Sequence, residues 1–223
     1  VAEVYGGMLN AIGLQNPGID VFIERDLAFL KQFDTKVIVN VCGKSVEDYL
    51  EVVERLADTD IAMMEINVSC PNVKEGGIAK QPVMMKLSPN VTDITEMAKA
   101  AEAGGADAIS LINTLTGMKI DIRRRSFALA NKTGGMSGPA IKPVAVRMVW
   151  QCANAVKIPI VGMGGILTAE DAMEFLMAGA TAVSVGAANF INPYATAEIA
   201  DGIEAFMKEQ GIEDINEIIG CVR

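Results

Sequence analysis

The chain has 223 residues, of which 51% are hydrophobic and 5% aromatic, and its formal net charge is −9. This acidic balance argues against a nucleic-acid partner, because binding to phosphates requires a basic surface. No apolar run approaches the roughly 20 residues needed to span a bilayer, so no membrane association is expected. Length and composition fit one α/β domain with a large buried core.

The chain contains four cysteines and no histidine. Cys42, Cys70, Cys152 and Cys221 lack the close pairing typical of zinc or iron–sulfur sites, so no metal site is predicted. Four scattered cysteines in a chain of this length indicate reduced thiols and a cytoplasmic location. Without histidine, acid–base chemistry near neutral pH must use Cys, Lys, Asp, Glu, Tyr or water.

The sequence repeats a unit of short apolar strand, loop and amphipathic helix. Strands are predicted at residues 37–41, 63–68, 83–87, 108–112, 159–161 and 182–185. Helices are predicted at residues 45–58, 92–103, 141–156, 168–178 and 194–210, and residues 113–139 are predicted to form a long loop. Parallel strands need right-handed helical crossovers, so this order predicts an α/β parallel sheet.

Six strand units are two fewer than a closed (β/α)₈ barrel contains. We interpret residues 1–223 as a single TIM-barrel domain whose first two strand units lie N-terminal to Val1. A second gap is expected between strands 63–68 and 83–87, because residues 69–82 have no apolar helical period. A crossover between parallel strands needs a dozen or more residues and usually a helix. A loop and helix are therefore predicted to be missing near Ala79 and Lys80.

Polar residues stand at the ends of the predicted strands, where parallel barrels build their active sites. Asn40, Asn67 and Asn113 are amides that both donate and accept hydrogen bonds, which suits a planar imide or amide substrate. Lys86 lies in an apolar strand, where an unpaired charge is costly, so we expect it to face an anion or an electron-rich cofactor. The alternative is a lysine whose ammonium simply reaches the barrel mouth.

Glycines follow the last two predicted strands, at Gly162, Gly164, Gly165 and Gly186. In barrels the loops after these two strands often bind phosphate, helped by a nearby helix N-terminus. The pattern predicts a phosphate site, and the alternative is that the glycines only form tight turns.

Cys70 is the candidate catalytic base. It follows a strand in the polar loop Asn67-Val68-Ser69-Cys70-Pro71-Asn72, and a thiol has the reference pKa nearest neutrality, about 8.5, among the available side chains. The other cysteines fit a different interpretation. Cys42 and Cys152 are typical of inert buried thiols, and Cys221 near the terminus has no predicted role.

Six segments carry a resemblance to a known family: residues 7–18, 67–72, 86–89, 112–114, 135–143 and 162–166. Together they resemble class 1 dihydroorotate dehydrogenases. Cysteine at position 70 is similar to class 1, because the membrane-bound, quinone-linked class has serine there. Residues 135–143 resemble the NAD-linked subclass 1B more than the fumarate-linked subclass 1A.

The resemblance implies an FMN-dependent barrel that oxidises (S)-dihydroorotate to orotate in pyrimidine biosynthesis. It implies that Cys70 removes the C5 proton while hydride passes from C6 to FMN. The positions that it assigns to the substrate are Asn10, Ala11, Ile12, Gly13, Leu14, Asn67, Asn113 and Thr114. The positions that it assigns to FMN are Asn40, Asn67, Lys86, Ile112, Gly138, Gly164, Gly165, Gly186 and Ala187.

Subclass 1B also implies partners. The catalytic subunit would form a homodimer within a heterotetramer, whose other subunit carries FAD and a 2Fe–2S cluster and passes electrons to NAD⁺. The family's N-terminal flavin loop, and its lysine that touches flavin and substrate, have no counterpart in residues 1–223. Three alternatives stay open: the fumarate-linked subclass 1A, another FMN barrel acting on pyrimidines, and a non-catalytic flavin- or phosphate-binding subunit.

Overall fold

The computed structural model describes residues 1–67 and 79–222. Its strands, numbered in chain order, are β1 (Ala2–Val4), β2 (Gly7–Asn10), β3 (Ile38–Val41), β4 (Met63–Asn67), β5 (Val83–Lys86), β6 (Ala108–Leu111), β7 (Leu115–Met118), β8 (Ile120–Asp121), β9 (Ser126–Phe127), β10 (Thr133–Ser137), β11 (Ile160–Met163) and β12 (Ala182–Ser184).

The main layer is a six-stranded sheet in the order β12-β11-β6-β5-β4-β3, and every neighbouring pair is parallel. These are the six predicted strands, so the predicted α/β parallel sheet is confirmed. In the described part of the chain, β3 and β12 form the two edges of the sheet. Because all six strands run in one direction, their carboxyl ends share one end of the layer.

The helices are α1 (Ile19–Val21), α2 (Ala28–Leu30), α3 (Val46–Leu56), α4 (Ile94–Ala103), α5 (Lys142–Ala153), α6 (Ala169–Met177) and α7 (Ala195–Gln210). A π-helical segment, Phe22–Leu27, joins α1 to α2, and short 3₁₀ turns lie at Pro139–Ile141, Ala187–Phe190 and Ile215–Glu217. As predicted, Ser45 caps α3, because its side chain accepts a hydrogen bond from the Asp48 N–H. Among the described helices, none combines the length and apolar character needed to cross a bilayer.

Helices α3 to α6 cover one face of the sheet. Around α5 and α6 the buried residues include Ile109, Leu111 and Phe175, and around α3 they include Leu56 and Met64. Successive strand residues point to opposite faces, so this apolar packing turns the alternate side chains toward the other face. Each buried aliphatic or aromatic side chain contributes about 1.5–3 kcal/mol, which holds the strand ends in place.

The predicted long loop at residues 113–139 is wrong. It contains β7 to β10, and β10 pairs with both β7 and β2 in an antiparallel sheet of order β1-β2-β10-β7. Strands β8 and β9 form a separate hairpin. The pairing of β10 with β2 joins distant parts of the chain, for example Gly135 with Asn10. A local pattern in the sequence does not reveal such a pairing.

Strands β4 and β5 are adjacent and parallel. Most of the segment between them, residues 68–78, lies outside the described residues. The expected absence of a loop and helix near Ala79 and Lys80 therefore stays a prediction. Cys70 lies in the same undescribed segment.

Candidate active site

Four polar side chains lie together on the face of the sheet that the helices leave uncovered. They are Asn40 of β3, Glu65 of β4, Lys86 of β5 and Ser110 of β6. The register places Asn40 beside Glu65 and Lys86 beside Ser110. Glu65 is only 8% exposed and Ser110 is fully buried. The central strands thus carry a polar cluster where a core would be expected to be apolar.

The Glu65 carboxylate is the centre of this cluster. Its Oε1 accepts a hydrogen bond from Ser110 Oγ at 2.6 Å, and its Oε2 accepts one from Asn40 Nδ2 at 2.5 Å. The Lys86 ammonium lies 3.6 Å from Oε2 as an ion pair. Glu65 and Ser110 were not predicted from the sequence. Glu65, like Lys86, is a charged residue inside a largely apolar strand, so the same sequence pattern marks it.

The three predicted amides form one chain of hydrogen bonds, in which Cys42 links the first two. The Cys42 thiol donates to Asn40 Oδ1 at 3.0 Å, and Asn67 Nδ2 donates to Cys42 Sγ at 3.6 Å. Asn113 Nδ2 in turn donates to Asn67 Oδ1 at 3.1 Å. The interpretation of Cys42 as an inert buried thiol is therefore wrong, because it is half-buried and links two polar side chains.

Asn10 and Thr114 lie against the same strand, β10. Asn10 Nδ2 donates to the carbonyl oxygen of Gly135 at 3.4 Å, and Thr114 packs so closely on Gly135 that a side chain there would overlap it. The Thr114 N–H donates to Asn113 Oδ1 at 2.7 Å. Five of the eight predicted substrate positions lie at the end of β2 or just after it. Asn10 is the last residue of β2, and the loop that follows contains Ala11, Ile12, Gly13 and Leu14. In this loop the Ile12 side chain is 59% exposed.

Four of the predicted FMN positions meet at the carboxyl end of β11. Gly138 and Gly165 have φ angles of 106° and 82°, in the region that favours glycine. A Cβ on Gly165 would lie 2.8 Å from the Gly138 carbonyl oxygen, and one on Gly164 would lie 3.3 Å from Ile112 Cγ1. The glycines therefore permit a close approach of backbone segments that side chains would prevent.

Gly186 and Ala187 follow β12, which pairs with β11. Among the described residues, no acceptor is found for the backbone N–H groups of Gly164, Gly165 and Gly186. A Cβ on Gly186 would meet nothing within 4 Å. Open backbone donors on two adjacent loops fit a phosphate, which is the group predicted from the glycines.

The N-terminus of α6 is capped by two of its own side chains. Thr168 Oγ1 accepts from the Asp171 N–H, and Asp171 Oδ2 accepts from the N–H groups of Leu167 and Thr168 at 2.9 and 3.0 Å. Thr168 and Asp171 therefore form a capping box at the start of α6.

A sequence model of the family described as dihydroorotate dehydrogenase matches residues 1–81 and 77–207. The chain belongs to the dihydroorotate dehydrogenase family. It is 71% identical to "Dihydroorotate dehydrogenase B (NAD(+)), catalytic subunit" of Lachnoclostridium phytofermentans, over 100% of this chain and 81% of that protein. A protein with the same name from Alkaliphilus oremlandii is 59% identical over 99% of this chain, and one from Geotalea uraniireducens is 54% identical over 100% of this chain. In each case the match covers 79% of the relative.

The cysteines of this dihydroorotate dehydrogenase family member differ in environment. Burial, with a smaller effect from Asp93, raises the pKa of the Cys152 thiol to about 12, so this thiol is unreactive at neutral pH, as predicted. Cys221 is exposed. Cys70 lies outside the described residues. In residues 1–67 and 79–222, no three His, Cys, Asp or Glu side chains form a group that could hold a metal ion.

Proposed function

We propose that this chain is the catalytic subunit of an NAD⁺-linked dihydroorotate dehydrogenase, which oxidises (S)-dihydroorotate to orotate in pyrimidine biosynthesis. One observation carries the proposal beyond family membership. Amides from three separate parts of the chain, Asn40, Asn67 and Asn113, are connected side chain to side chain at one end of the sheet. This arrangement matches a site that holds a cofactor and a planar, hydrogen-bonding substrate next to each other.

FMN is the proposed cofactor, and when bound it would accept the hydride that leaves the substrate. Asn40, Lys86 and Ile112 would hold its ring system, and Asn67 would lie between ring and substrate. Gly138, Gly164, Gly165, Gly186 and Ala187 would surround its phosphate. The glycine contacts and the open backbone N–H groups support this fit.

The substrate would bind beside the ring. Asn10, Asn67, Asn113 and Thr114 supply donors and acceptors that suit its carboxylate and imide edges, and the loop of Ala11, Ile12, Gly13 and Leu14 would lie over it. Asn113 orients Asn67, and Thr114 orients Asn113, so these groups are held before the substrate arrives.

Cys70 is the proposed base. Its thiolate would take the C5 proton of dihydroorotate, while the C6 hydrogen leaves with its electron pair. Proton and hydride removal from adjacent carbons leaves the C5–C6 double bond of orotate. Asn67, which precedes the Cys70 segment, is fixed by Cys42, Asn113 and the hydroxyl of Tyr49, which donates to the Asn67 carbonyl oxygen at 2.7 Å. Asn67 is thus anchored directly before the undescribed segment that contains Cys70.

The parallel sheet is proposed to be part of a closed eight-stranded TIM barrel, with a further loop and helix between β4 and β5 in its relatives. Two findings support the second point. The family model matches the chain in two separate pieces, residues 1–81 and 77–207, which overlap at residues 77–81. The alignment with the Lachnoclostridium protein spans 242 positions, although this chain has 223 residues.

The proposed assembly is a cytoplasmic homodimer of this subunit bound to an electron-transfer subunit. The relatives are named as catalytic subunits of NAD⁺-type enzymes, which supports a partner. FAD and a 2Fe–2S cluster are proposed for that partner from the resemblance to subclass 1B, and the four scattered cysteines of this chain form no cluster motif of their own.

The function is tested by adding substrates to the purified protein under anaerobic conditions and following the flavin absorbance. We expect one FMN per chain and rapid bleaching by dihydroorotate. Dihydrouracil, which lacks the carboxylate, should bleach the flavin far more slowly. Bleaching by dihydrouracil but not by dihydroorotate would identify a different pyrimidine enzyme, and bound flavin that neither compound reduces would identify a non-catalytic subunit.

A further inference from the structure

Glu65 is a buried carboxylate for which the proposed reaction has no use. It lies in the middle of β4 between β3 and β5, and only 8% of it is exposed. A buried charge is costly unless it is paired and hydrogen-bonded. Glu65 meets both conditions, with Ser110 on one carboxylate oxygen and with Asn40 and Lys86 on the other.

Two of the three partners of Glu65, Asn40 and Lys86, are side chains proposed to hold the flavin. A carboxylate only accepts hydrogen bonds, so it turns the amide nitrogen of Asn40 toward itself and leaves Asn40 Oδ1 to accept from Cys42. The distance of 3.6 Å to Lys86 is longer than a hydrogen bond. Glu65 therefore attracts the ammonium without occupying its donors, which stay available to a ligand.

The contact with Ser110 restricts the carboxylate itself. Ser110 is fully buried, its hydroxyl donates to Oε1 at 2.6 Å, and it lies beside Lys86 in the register of β5 and β6. A hydrogen bond of this length to an ionised group is of the strong, charge-assisted kind. Glu65 is thus held at a defined distance from Lys86 and cannot turn away from it.

We propose that Glu65 is a positioning residue that orients Asn40 and Lys86 toward the flavin and lowers the reduction potential of the bound flavin; this inference rests on the proposed function. Hydride transfer delivers two electrons and one proton, so an oxidised flavin gains one negative charge. The Lys86 ammonium stabilises that charge, and the Glu65 carboxylate beside it opposes the effect. Together, Lys86 and Glu65 hold the reduction potential at a value at which dihydroorotate reduces the flavin and the reduced flavin can pass its electrons to the next acceptor.

The test is the two-electron reduction potential of FMN in the holoprotein, measured for wild type and for Glu65→Gln by equilibration with redox dyes. Removing the carboxylate charge should favour the reduced flavin over the oxidised one by about tenfold, which is a positive shift of about 30 mV for a two-electron couple. Glu65→Asp, which restores the charge, should return the potential toward the wild-type value. Its FMN binding should be weaker than that of wild type, because the shorter side chain does not reach Asn40.

Glu174→Gln is the matched control. Glu174 also pairs with a lysine, Lys142, at 2.6 Å, but it lies on α6 and away from Asn40 and Lys86. This variant changes the net charge equally and should leave the potential unchanged. A role of Glu65 in stability alone would lower the unfolding temperature of Glu65→Gln without moving its potential, and that result would overturn the proposal.

A second variant covers the case in which Glu65→Gln does not fold. Ser110→Ala removes the hydrogen bond that the Ser110 hydroxyl donates to the Glu65 carboxylate. The negative charge of Glu65 then acts more strongly on the flavin, so the reduction potential should become more negative. An unchanged or more positive potential in Ser110→Ala would then overturn the proposal. Failure of the wild type to bind FMN, or to be reduced by dihydroorotate, would instead refute the proposed function, so the two failures are distinguishable.

Discussion

The amide nitrogen of Asn113 donates to the amide oxygen of Asn67 over 3.1 Å, and this bond joins the carboxyl ends of β6 and β4. Asn113 Oδ1 accepts from the Thr114 N–H, and Asn67 Nδ2 points to Cys42. The orientation of each amide is therefore determined by its neighbour. A site built in this way presents its donors and acceptors in a fixed pattern before a substrate binds.

Replacing Asn113 should weaken substrate binding. In Asn113→Ala the amide of Asn67 loses the partner that orients it, a loss of about 1–1.5 kcal/mol for one hydrogen bond, so KM for dihydroorotate should rise about tenfold. Steady-state kinetics measure KM, and the flavin absorbance measures FMN content, which should not change. Asn154→Ala is the control, because the Asn154 side chain donates to the Trp150 carbonyl oxygen at the end of α5 and not to Asn67. An unchanged KM in Asn113→Ala would contradict the assignment.

Replacing Cys70 should stop the chemistry without removing the cofactor. Cys70→Ala should stay yellow, and flavin reduction by dihydroorotate should slow by a factor of about 10² to 10⁴, the usual contribution of a general base. Cys70→Ser should keep partial activity that increases with pH, because a hydroxyl is a much weaker acid than a thiol. Stopped-flow reduction gives both rates. Near-normal reduction in Cys70→Ala would remove this residue from the base role.

Adding one methyl group at Gly165 should disturb the proposed phosphate site. Gly165→Ala places a methyl group on a residue with positive φ and against the Gly138 carbonyl oxygen. Such strain costs about 1–3 kcal/mol. The backbone should shift to relieve it, which should weaken FMN binding at least tenfold. Titration of FMN into apoprotein measures this. Gly211→Ala also has positive φ, but its Cβ would meet nothing within 4 Å, so it should cost stability alone. Equal FMN affinity in both variants would count against the phosphate site.

Lys142 should stabilise the packing of α5 on α6. Its hydrogen bonds to Asp171 and Glu174, both at 2.6 Å, raise the Lys142 pKa. Burial alone would raise the pKa of Asp171, but its bonds with Lys142 and with the N–H groups of Leu167 and Thr168 outweigh burial, so that pKa is lowered.

The sign of the pH dependence follows from these two directions. A raised lysine pKa gives stability that is lost as pH rises through it, and a lowered carboxyl pKa gives stability that is lost as pH falls through it. Lys142→Met should therefore reduce the free energy of unfolding by about 1–2 kcal/mol at neutral pH and by less in acid. Urea unfolding at several pH values measures this. Lys208→Met, which breaks an exposed pair with Glu204, should cost much less because solvent screens that pair. A loss in Lys142→Met that is constant with pH would contradict the ion-pair explanation.

The sheet could be predicted from the sequence because its strands are local apolar runs. All six strands of the parallel sheet and the helices α3 to α7 were identified, and with them the shared end where Asn40, Asn67 and Asn113 meet. The antiparallel sheet at the same end was missed. Its strands β7 and β10 are short and glycine-rich, and they depend on pairing with β2, far away in the chain.

The polar cluster under the site was also missed, for a different reason. Glu65 lies between the apolar residues Met64 and Ile66, and Ser110 lies between Ile109 and Leu111. Attention to strand ends does not detect residues in the middle of a strand. Cys42 was assigned to the core because free cysteines are often buried, whereas its position two residues after Asn40 places the thiol on that amide.

The most direct measurement of the central claim is steady-state turnover by the purified catalytic subunit together with its electron-transfer partner. We predict that orotate and NADH form in equal amounts from dihydroorotate and NAD⁺, and that fumarate does not replace NAD⁺. Turnover with fumarate and without the partner would contradict the NAD⁺-linked assignment, and no orotate with either acceptor would contradict the proposed activity itself.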